Sequence, residues 1–378
     1  MGGTTKTKKA PWTARLLIAC VLCLGLAFIA SGCAQQAPSA DEGAKQDQPA
    51  QNETRTFTDS AGRTVEVPAQ IDRIAPAGHT ATQVLLTMAP DKLVSISTEL
   101  TADQAKYLGA DYANLPVTGA AFGAKGDLNK EAVAASGAQI LIDTGELKDG
   151  IKEDLDTLQQ QLGIPVVVIE TKMSDYGKAY EMLGELLGMQ NRGKELSDYC
   201  KAAYDETVSV MSTIPESDRV NVAYLLGGKG TNTIAKNSYQ GQVVDLVANN
   251  VADLGKVSGS GAGVEISMEQ LALWDPQLIL FAGGSIYDSV GSDAAFAELT
   301  AVKNGSYYEV PSTPWNWLNN PPTVNQVLGM QWLPRLLYPD KYDNDLHETV
   351  SGYFKTFYGY DLSKAEFDQI AAHAQPKA

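Results

Sequence analysis

One long helical stretch, set between two regions in which strand and helix signals alternate, constrains this chain more than any other feature. From Asp175 to about Met211 the sequence carries little but helix signal, clearly interrupted only at Gly188 to Gly193. In "RGKELSDYCKAAYDETVSVM" the apolar positions Leu196, Tyr199, Cys200, Ala203, Tyr204, Val208 and Met211 recur in steps of three and four. This marks an amphipathic helix of about 30 Å at 1.5 Å per residue, the span of a small domain. Before it, "TFTDSAGRTVEVP" reads as two short strands about a turn at Asp59 to Gly62. Strands follow near Ile74 and over Leu93–Ser97, Gln139–Asp143 and Val166–Ile169, with helices from about Asn129 to Ala135 and over Ile151–Gln161. After Pro215 the alternation restarts, with strands Val220–Leu226, Leu278–Phe281 and Tyr307–Val310 and helices Gln242–Ala248, Met268–Leu273 and Val324–Leu337. Runs such as "ILI" and "VVVI" suit strands buried on both faces, so the expected class is α/β with parallel-rich sheets covered by helices.

One sentence of this sequence is written twice. "EAVAASGAQILIDTG" from Glu131 and "EQLALWDPQLILFAGG" from Glu269 share a frame in which Glu131 meets Glu269, Ala134 meets Ala272, Gln139 meets Gln277 and Gly145 meets Gly283. Each copy is helix, turn and buried strand. Each helix opens on a capping residue, Asn129 or Ser267, two positions before its glutamate, which puts the carboxylate in the first turn where the helix dipole favours it. One copy precedes the long helix and one follows it. The simplest account is two lobes of like topology, residues 55–190 and 215–378, joined by a rigid helix over 191–214.

With 378 residues, 44% hydrophobic and 20% charged, the chain can bury a large core, and two domains are expected. A net charge of -16 argues against nucleic acid as a partner, because phosphate binding needs clustered cations. Residues 1–32 run the other way, carrying Lys6, Lys8, Lys9 and Arg15 and no acid. Together with the short apolar run "LLIACVLCLGLAFIA" they read as an export signal. It closes on Ala30, Ser31, Gly32 and Cys33, which resembles the lipobox of bacterial lipoproteins, with Ala30 where Leu is commonest. The resemblance implies cleavage before Cys33, lipidation of that thiol and a membrane tether; the alternative is an ordinary secretory signal with an incidental cysteine. Residues 33–54 hold no large apolar side chain and read as a flexible linker. Once Cys20 and Cys23 leave with the signal and Cys33 carries lipid, only Cys200 remains. It makes no internal disulfide and no zinc cage, and reads as a buried small hydrophobe.

Lipobox, linker, "FTDSAGRTVEVP", "RIAPAGHTATQVLL", "DLNKEAVAASGAQILI", the spanning helix, "ISMEQLALWDPQLIL" and "PPTVNQVLGMQWLPRLLYP" together resemble the substrate-binding proteins of ABC importers for iron-siderophores, haem and cobalamin. The resemblance covers about residues 55 to 360. It implies two Rossmann-like lobes that move little, a ligand cleft between them, and a glutamate on each lobe that docks into arginines of the membrane permease. Those glutamates fall on Glu131 and Glu269. The partners implied are the permease and, through it, an ATPase; a monomer with no intrinsic cofactor is expected, and the bound metal chelate is the cargo.

In parallel sheets ligands bind outside the carboxyl ends of the strands. The loops expected there carry His79, Thr80 and Thr82, then Gly119 to Gly123 with Phe122, Gly145 and Glu146, Lys236 to Tyr239, Gly283 to Tyr287, and "PWNWLNN" with Trp315, Trp317 and Asn319. His79 could ligate haem iron or cobalt, donate to an anion, or simply bond backbone. Trp315 and Trp317, two apart, would face the same way if extended and wall a cleft against a flat or greasy ligand, or else pack the loop against its lobe.

Three scattered histidines disfavour a bare divalent metal. "GGKGT" lacks the spacing of a phosphate-binding loop, and neither H-E-x-x-H nor G-x-S-x-G occurs. The expected function is therefore a lipid-anchored receptor for a metal chelate: a ferric siderophore first, haem or a corrinoid next, and an oxoanion such as molybdate as the alternative. The competing classes are a chelatase-like enzyme, against which the export signal speaks, and a surface adhesin or sensor.

Overall fold

The computed structural model describes residues 53–122, 126–255 and 261–376. The leader and Cys33 lie outside the described residues, as does the linker up to Asn52. Among the described residues no helix is long and apolar enough to cross a membrane.

An antiparallel hairpin of β1 (Thr54–Thr58) and β2 (Thr64–Pro68) leads into β3 (Ile74–Pro76), α1 (His79–Met88), α2 (Ala102–Leu108), α3 (Lys130–Ser136), β4 (Ile140–Gly145), α4 (Ile151–Leu162) and β5 (Val166–Glu170). Strands β3, β4 and β5 form a parallel sheet with β4 at its centre. Alternate residues of β4 feed two cores: Ile140 and Ile142 face one, Leu141 the other with Leu155 and Leu158 of α4. The strand expected over Leu93–Ser97 is replaced by two isolated parallel bridges, Ile74 to Leu93 and Ile96 to Val117. Its neighbour β3 is only three residues long and ends in Pro76, so it offers no ladder to extend.

The helical stretch is two helices, α5 (Tyr176–Leu187) and α6 (Gln190–Ser212). Gly188 stops the first in the left-handed conformation, φ 68°. Gly193 lies inside α6 and serves a different purpose. A Cβ there would stand 2.6 Å from the Tyr180 carbonyl oxygen and 2.9 Å from Gly184 Cα, so the two helices cross backbone to backbone. At 23 residues α6 is about 34 Å long.

The second lobe contains β6 (Asn221–Leu226), β7 (Asn232–Thr233), α7 (Gln242–Val247), β8 (Asn249–Asn250), β9 (Val264–Glu265), α8 (Met268–Trp274), β10 (Leu278–Phe281), α9 (Thr300–Lys303), β11 (Tyr307–Glu309), α10 (Gln326–Leu337), α11 (Leu346–Tyr358) and α12 (Lys364–Ile370). Its sheet runs β11-β10-β6-β7-β9, with β8 also on β6; the pairs β11–β10, β10–β6 and β6–β8 are parallel and the β7 pairings antiparallel. Helix α6 packs against α5 on one side and α10 on the other. A second strap crosses beside it. On α11, Phe357 stacks on Tyr353 (4.2 Å, 11°) and meets Tyr180 of α5 and Tyr199 of α6 edge-on, while Phe354 meets Tyr107 of α2. One contiguous apolar core therefore runs from Ile74 to Phe367 through both lobes.

The caps, helix ends and glutamines of the repeated sentence are structural. Asn129 Oδ1 accepts the Ala132 amide (2.9 Å) and Ser267 Oγ the Gln270 amide (3.1 Å), capping α3 and α8. Val133 and Leu271 point inward, and Gly137 and Asp275 end the helices in the left-handed region. Gln139 Oε1 accepts the amides of Asp72 and Arg73, and Gln277 Oε1 that of Asn221, so each glutamine clamps the start of the neighbouring strand.

Because the α5–α6 crossing has no room for a methyl group, Gly193→Ala is expected to cost about 1–3 kcal/mol through overpacking, outweighing the roughly 1 kcal/mol that alanine gains as a helix former. The urea midpoint should fall; an unchanged or higher midpoint would contradict the crossing described here.

Candidate functional site

The carboxyl ends of the parallel strands and the segment from Pro311 to Gln326 hold the candidate site. Hydrogen bonds tie the two lobes together around it. Gln83 Oε1 on α1 accepts from Thr323 Oγ1 (2.6 Å) and Asn325 Nδ2 (3.2 Å). Tyr176 OH donates to Gln326 Oε1 (2.7 Å), Gln104 Nε2 to the Pro314 carbonyl (3.1 Å) and Tyr239 OH to the Thr171 carbonyl (2.6 Å). A further layer lies beneath: Tyr224 OH donates to Asn319 Oδ1 (2.8 Å), and Asn316 Oδ1 accepts the amides of Leu318 and Asn319, each at 2.9 Å.

The residues expected from the sequence separate into distinct places. His79 opens α1 and is exposed, with Nδ1 3.1 Å from Ser97 Oγ. Thr80 is half-buried and donates to the Thr144 carbonyl (2.5 Å), tying α1 to the end of β4. Thr82 is buried beneath them; its hydroxyl donates to the Gly78 carbonyl and accepts the Ser97 amide, so it supports the His79 loop rather than lining a cleft. Phe122 sits beside a cavity of about 350 Å³ with Leu128, Asp154 and Leu158, over α4 and apart from the other candidates. Tyr239 faces the opposite lobe through its bond to Thr171. Tyr287 stacks on His373 (4.7 Å, 27°), which pairs with Glu309 (3.0 Å), and is thereby turned onto the second lobe's own core.

The two tryptophans do not face the same way. Asn316 folds the chain into a side-chain-capped turn in place of an extended strand. Trp315 is half-buried, edge-on to Tyr358, whereas Trp317 is wholly buried against Trp332 with Nε1 bonded to the Thr313 carbonyl. Asn319 is wholly buried too, and its Nδ2 has no hydrogen-bond partner within the protein. Glu131 and Glu269 are exposed on α3 and α8; the Glu269 carboxyl is held below the usual range by its own backbone amide and then the Ser267 hydroxyl.

Gln83, Tyr176, Tyr224, Asn316, Thr323, Asn325 and Gln326 escaped the sequence reading. The signal available was "NWLNNPPTVNQ", a run of amides flanked by apolar residues. Amides in a buried segment must pair with one another or with a ligand. Thr144 Oγ1 and Thr171 Oγ1, at the ends of β4 and β5, are likewise buried without a partner and so retain bonding capacity.

Three carboxyl groups, Asp143, Glu146 and Glu170, lie near Tyr239, with Lys148 and Lys172 among them. Burial pushes the half-buried Asp143 carboxyl up to about 7, opposed by the Thr144 amide and by Lys148. Burial also raises the Tyr239 hydroxyl, helped by Glu146, Glu170 and Asp143 of the facing lobe. Lys172 pairs with Glu170 (2.8 Å). Among the described residues no group of three or more His, Cys, Asp or Glu side chains is spaced to hold a metal ion.

The family model described as periplasmic binding protein matches residues 80–314. Comparison with curated proteins gives no match. Among solved structures, an ABC transporter solute binding protein from Sulfurospirillum deleyianum is 25% identical with a TM-score of 0.76, over 84% of this chain and 98% of that one. The molybdate periplasmic binding protein MolA of Haemophilus influenzae, solved with molybdate, is 20% identical with a TM-score of 0.66, over 82% and 99%. CeuE of Helicobacter pylori, solved as a Ni-His complex, is 16% identical with a TM-score of 0.63, over 84% and 99%; these two likenesses concern the fold alone. Proteins of this family bind transported solutes, carry no resident cofactor and work outside the cytoplasm with a permease and an ATPase. With its two lobes and spanning helix, this chain belongs to the periplasmic binding protein family and is a solute-binding protein of the ABC-transporter type.

Proposed function

We propose that the protein, anchored through lipidated Cys33, captures a metal chelate between its lobes and delivers it to an ABC permease through Glu131 and Glu269. The lobes are residues 55–190 and 215–378. The cargo is a ferric siderophore of neutral or positive charge first, haem or a corrinoid next. The observation that carries this reading is the polar seam between the lobes, where Tyr239 OH donates to the Thr171 carbonyl (2.6 Å) close to Glu146 and Glu170. The carboxylate of Glu146 there disfavours a bare oxoanion, and the missing three-ligand cluster among the described residues disfavours a bare metal. His79, Thr80, Tyr239 and Trp315 are the contacts, with Asn319, Thr144 and Thr171 as polar atoms in reserve; Thr82 and Trp317 act by holding the loops that carry the contacts.

Glu131 and Glu269 share a register, a cap and exposure, which supports a matched pair of docking points for a basic partner. Exposed carboxylates would steer that encounter.

Quenching of tryptophan fluorescence by a panel of ferric hydroxamates, haem, a corrinoid and molybdate should give sub-micromolar binding to one of the chelates; binding of molybdate alone, or of nothing, would refute the cargo. Glu131→Ala and Glu269→Ala should keep that affinity yet abolish stimulation of the permease's ATPase, and retained stimulation would remove the docking role. Asp143 makes a prediction in pH. Its folded carboxyl is raised from 3.8 to about 7, so the folded chain holds the proton more tightly than the unfolded one. The stability it contributes is complete below about pH 4 and is lost as pH rises to about 7. Comparison of urea midpoints across this range should show the decline in the wild type and a smaller one in Asp143→Asn; parallel curves would mean that Asp143 is not desolvated.

A further inference from the structure

Helix α8 presents an apolar side chain where its partner helix does not. Among the described residues three large hydrophobics are exposed: Val208 at 37%, Val117 at 42% and Leu273 at 79%. Single exposed apolar residues are ordinary on protein surfaces, and exposure alone would mean nothing. Leu273 differs in its position. It follows Glu269 by four residues, one turn along the same face of α8. The inward face of that helix is already supplied, by wholly buried Leu271 and by Met268 and Trp274 packed on the second lobe's core.

The repeat provides an internal comparison. With Glu131 on Glu269, Val133 on Leu271 and Gln139 on Gln277, the position of Leu273 falls on Ala135, which is also exposed. The charges around the two glutamates differ as well. Glu131 has exposed Asp127 four residues before it, as Glu269 has Glu265, but Lys130 stands beside Glu131, whereas α8 carries no cation and ends on exposed Asp275. One patch has an alanine and includes a cation; the other is a leucine set among carboxylates alone.

Resting on the docking reading above, we propose that Leu273 is the apolar anchor of the permease contact on the second lobe. The partner it fits is a permease surface that places basic side chains around a pocket deep enough for one leucine. A central apolar anchor ringed by charge is the arrangement in which a single side chain carries much of an interface's affinity. Since Ala135 offers no equivalent, the two lobes are not interchangeable on a two-fold-like permease, and Leu273 fixes which lobe meets which half.

The test measures binding of the full-length chain to ABC permease–ATPase complexes of its own organism, held in lipid nanodiscs. Leu273→Ala should weaken binding about tenfold and Leu273→Asp further, while Ala135→Ser changes it less than twofold. Melting temperature and ligand affinity should match the wild type for all three, since both positions face solvent. Wild-type binding by Leu273→Ala and Leu273→Asp, when Glu131→Ala and Glu269→Ala do weaken it, overturns the anchor and leaves the docking reading intact. If the glutamate variants bind normally, or the wild type does not bind, the docking reading fails and the anchor with it.

Discussion

The architecture depends on one contact made without side chains. At Gly184 and Gly193, α5 and α6 approach until a single methyl group would collide with backbone. That approach sets where α6 points, and so where its first turn delivers Arg192. The guanidinium of Arg192 donates to the carbonyls of Thr87 and Thr356, both at 2.8 Å, near the carboxyl ends of α1 and α11. A cation suits two helix C-termini, where unpaired carbonyls concentrate negative potential. One residue thus ties the spanning helix to both lobes, and the aromatic ladder of Tyr353 and Phe357 continues the seam. With a shared core on this side, large opening of the lobes would expose much apolar surface, which favours small movements about a nearly fixed frame.

Against that stiff background the polar cleft is a preorganised device. Gln83, Thr323 and Asn325 satisfy one another across the lobes, as do Tyr176 and Gln326. Buried amides are costly unless paired, so these networks hold the loops above them in one arrangement. Ligand binding at the proposed site would then require little reordering, leaving more of the contact energy for affinity. The partnerless atoms of Thr144, Thr171 and Asn319 stand out because their neighbours are so fully matched.

The internal repeat turns out to encode folding rather than chemistry. Its glutamines clamp strand starts, its caps begin helices and its apolar runs fill the sheets. What remains after those duties are the two exposed glutamates and the mismatch between Ala135 and Leu273. The lobes also differ in scale: the first has a pure three-stranded parallel sheet, the second adds antiparallel β7 and β9 to its parallel set.

Local pattern was enough for much of this. Strands β4, β5, β6 and β10, helices α3, α4, α7 and α8, and the two-lobed α/β class followed from periodicity, caps and buried runs, because those signals act over a few residues. The strand expected at Leu93–Ser97 failed because pairing depends on a partner, and β3 is too short to serve as one. Trp317 and Thr82 carried the right residue types for a cleft but are buried, and burial is decided by which element lies above a side chain. Sequence by itself determined most of these elements, the repeat and the acidic charge. Only the tertiary structure decided which amides face each other across the lobes, that Gly193 is a crossing point, and that Leu273 stands outward, since each depends on which other element packs against the residue.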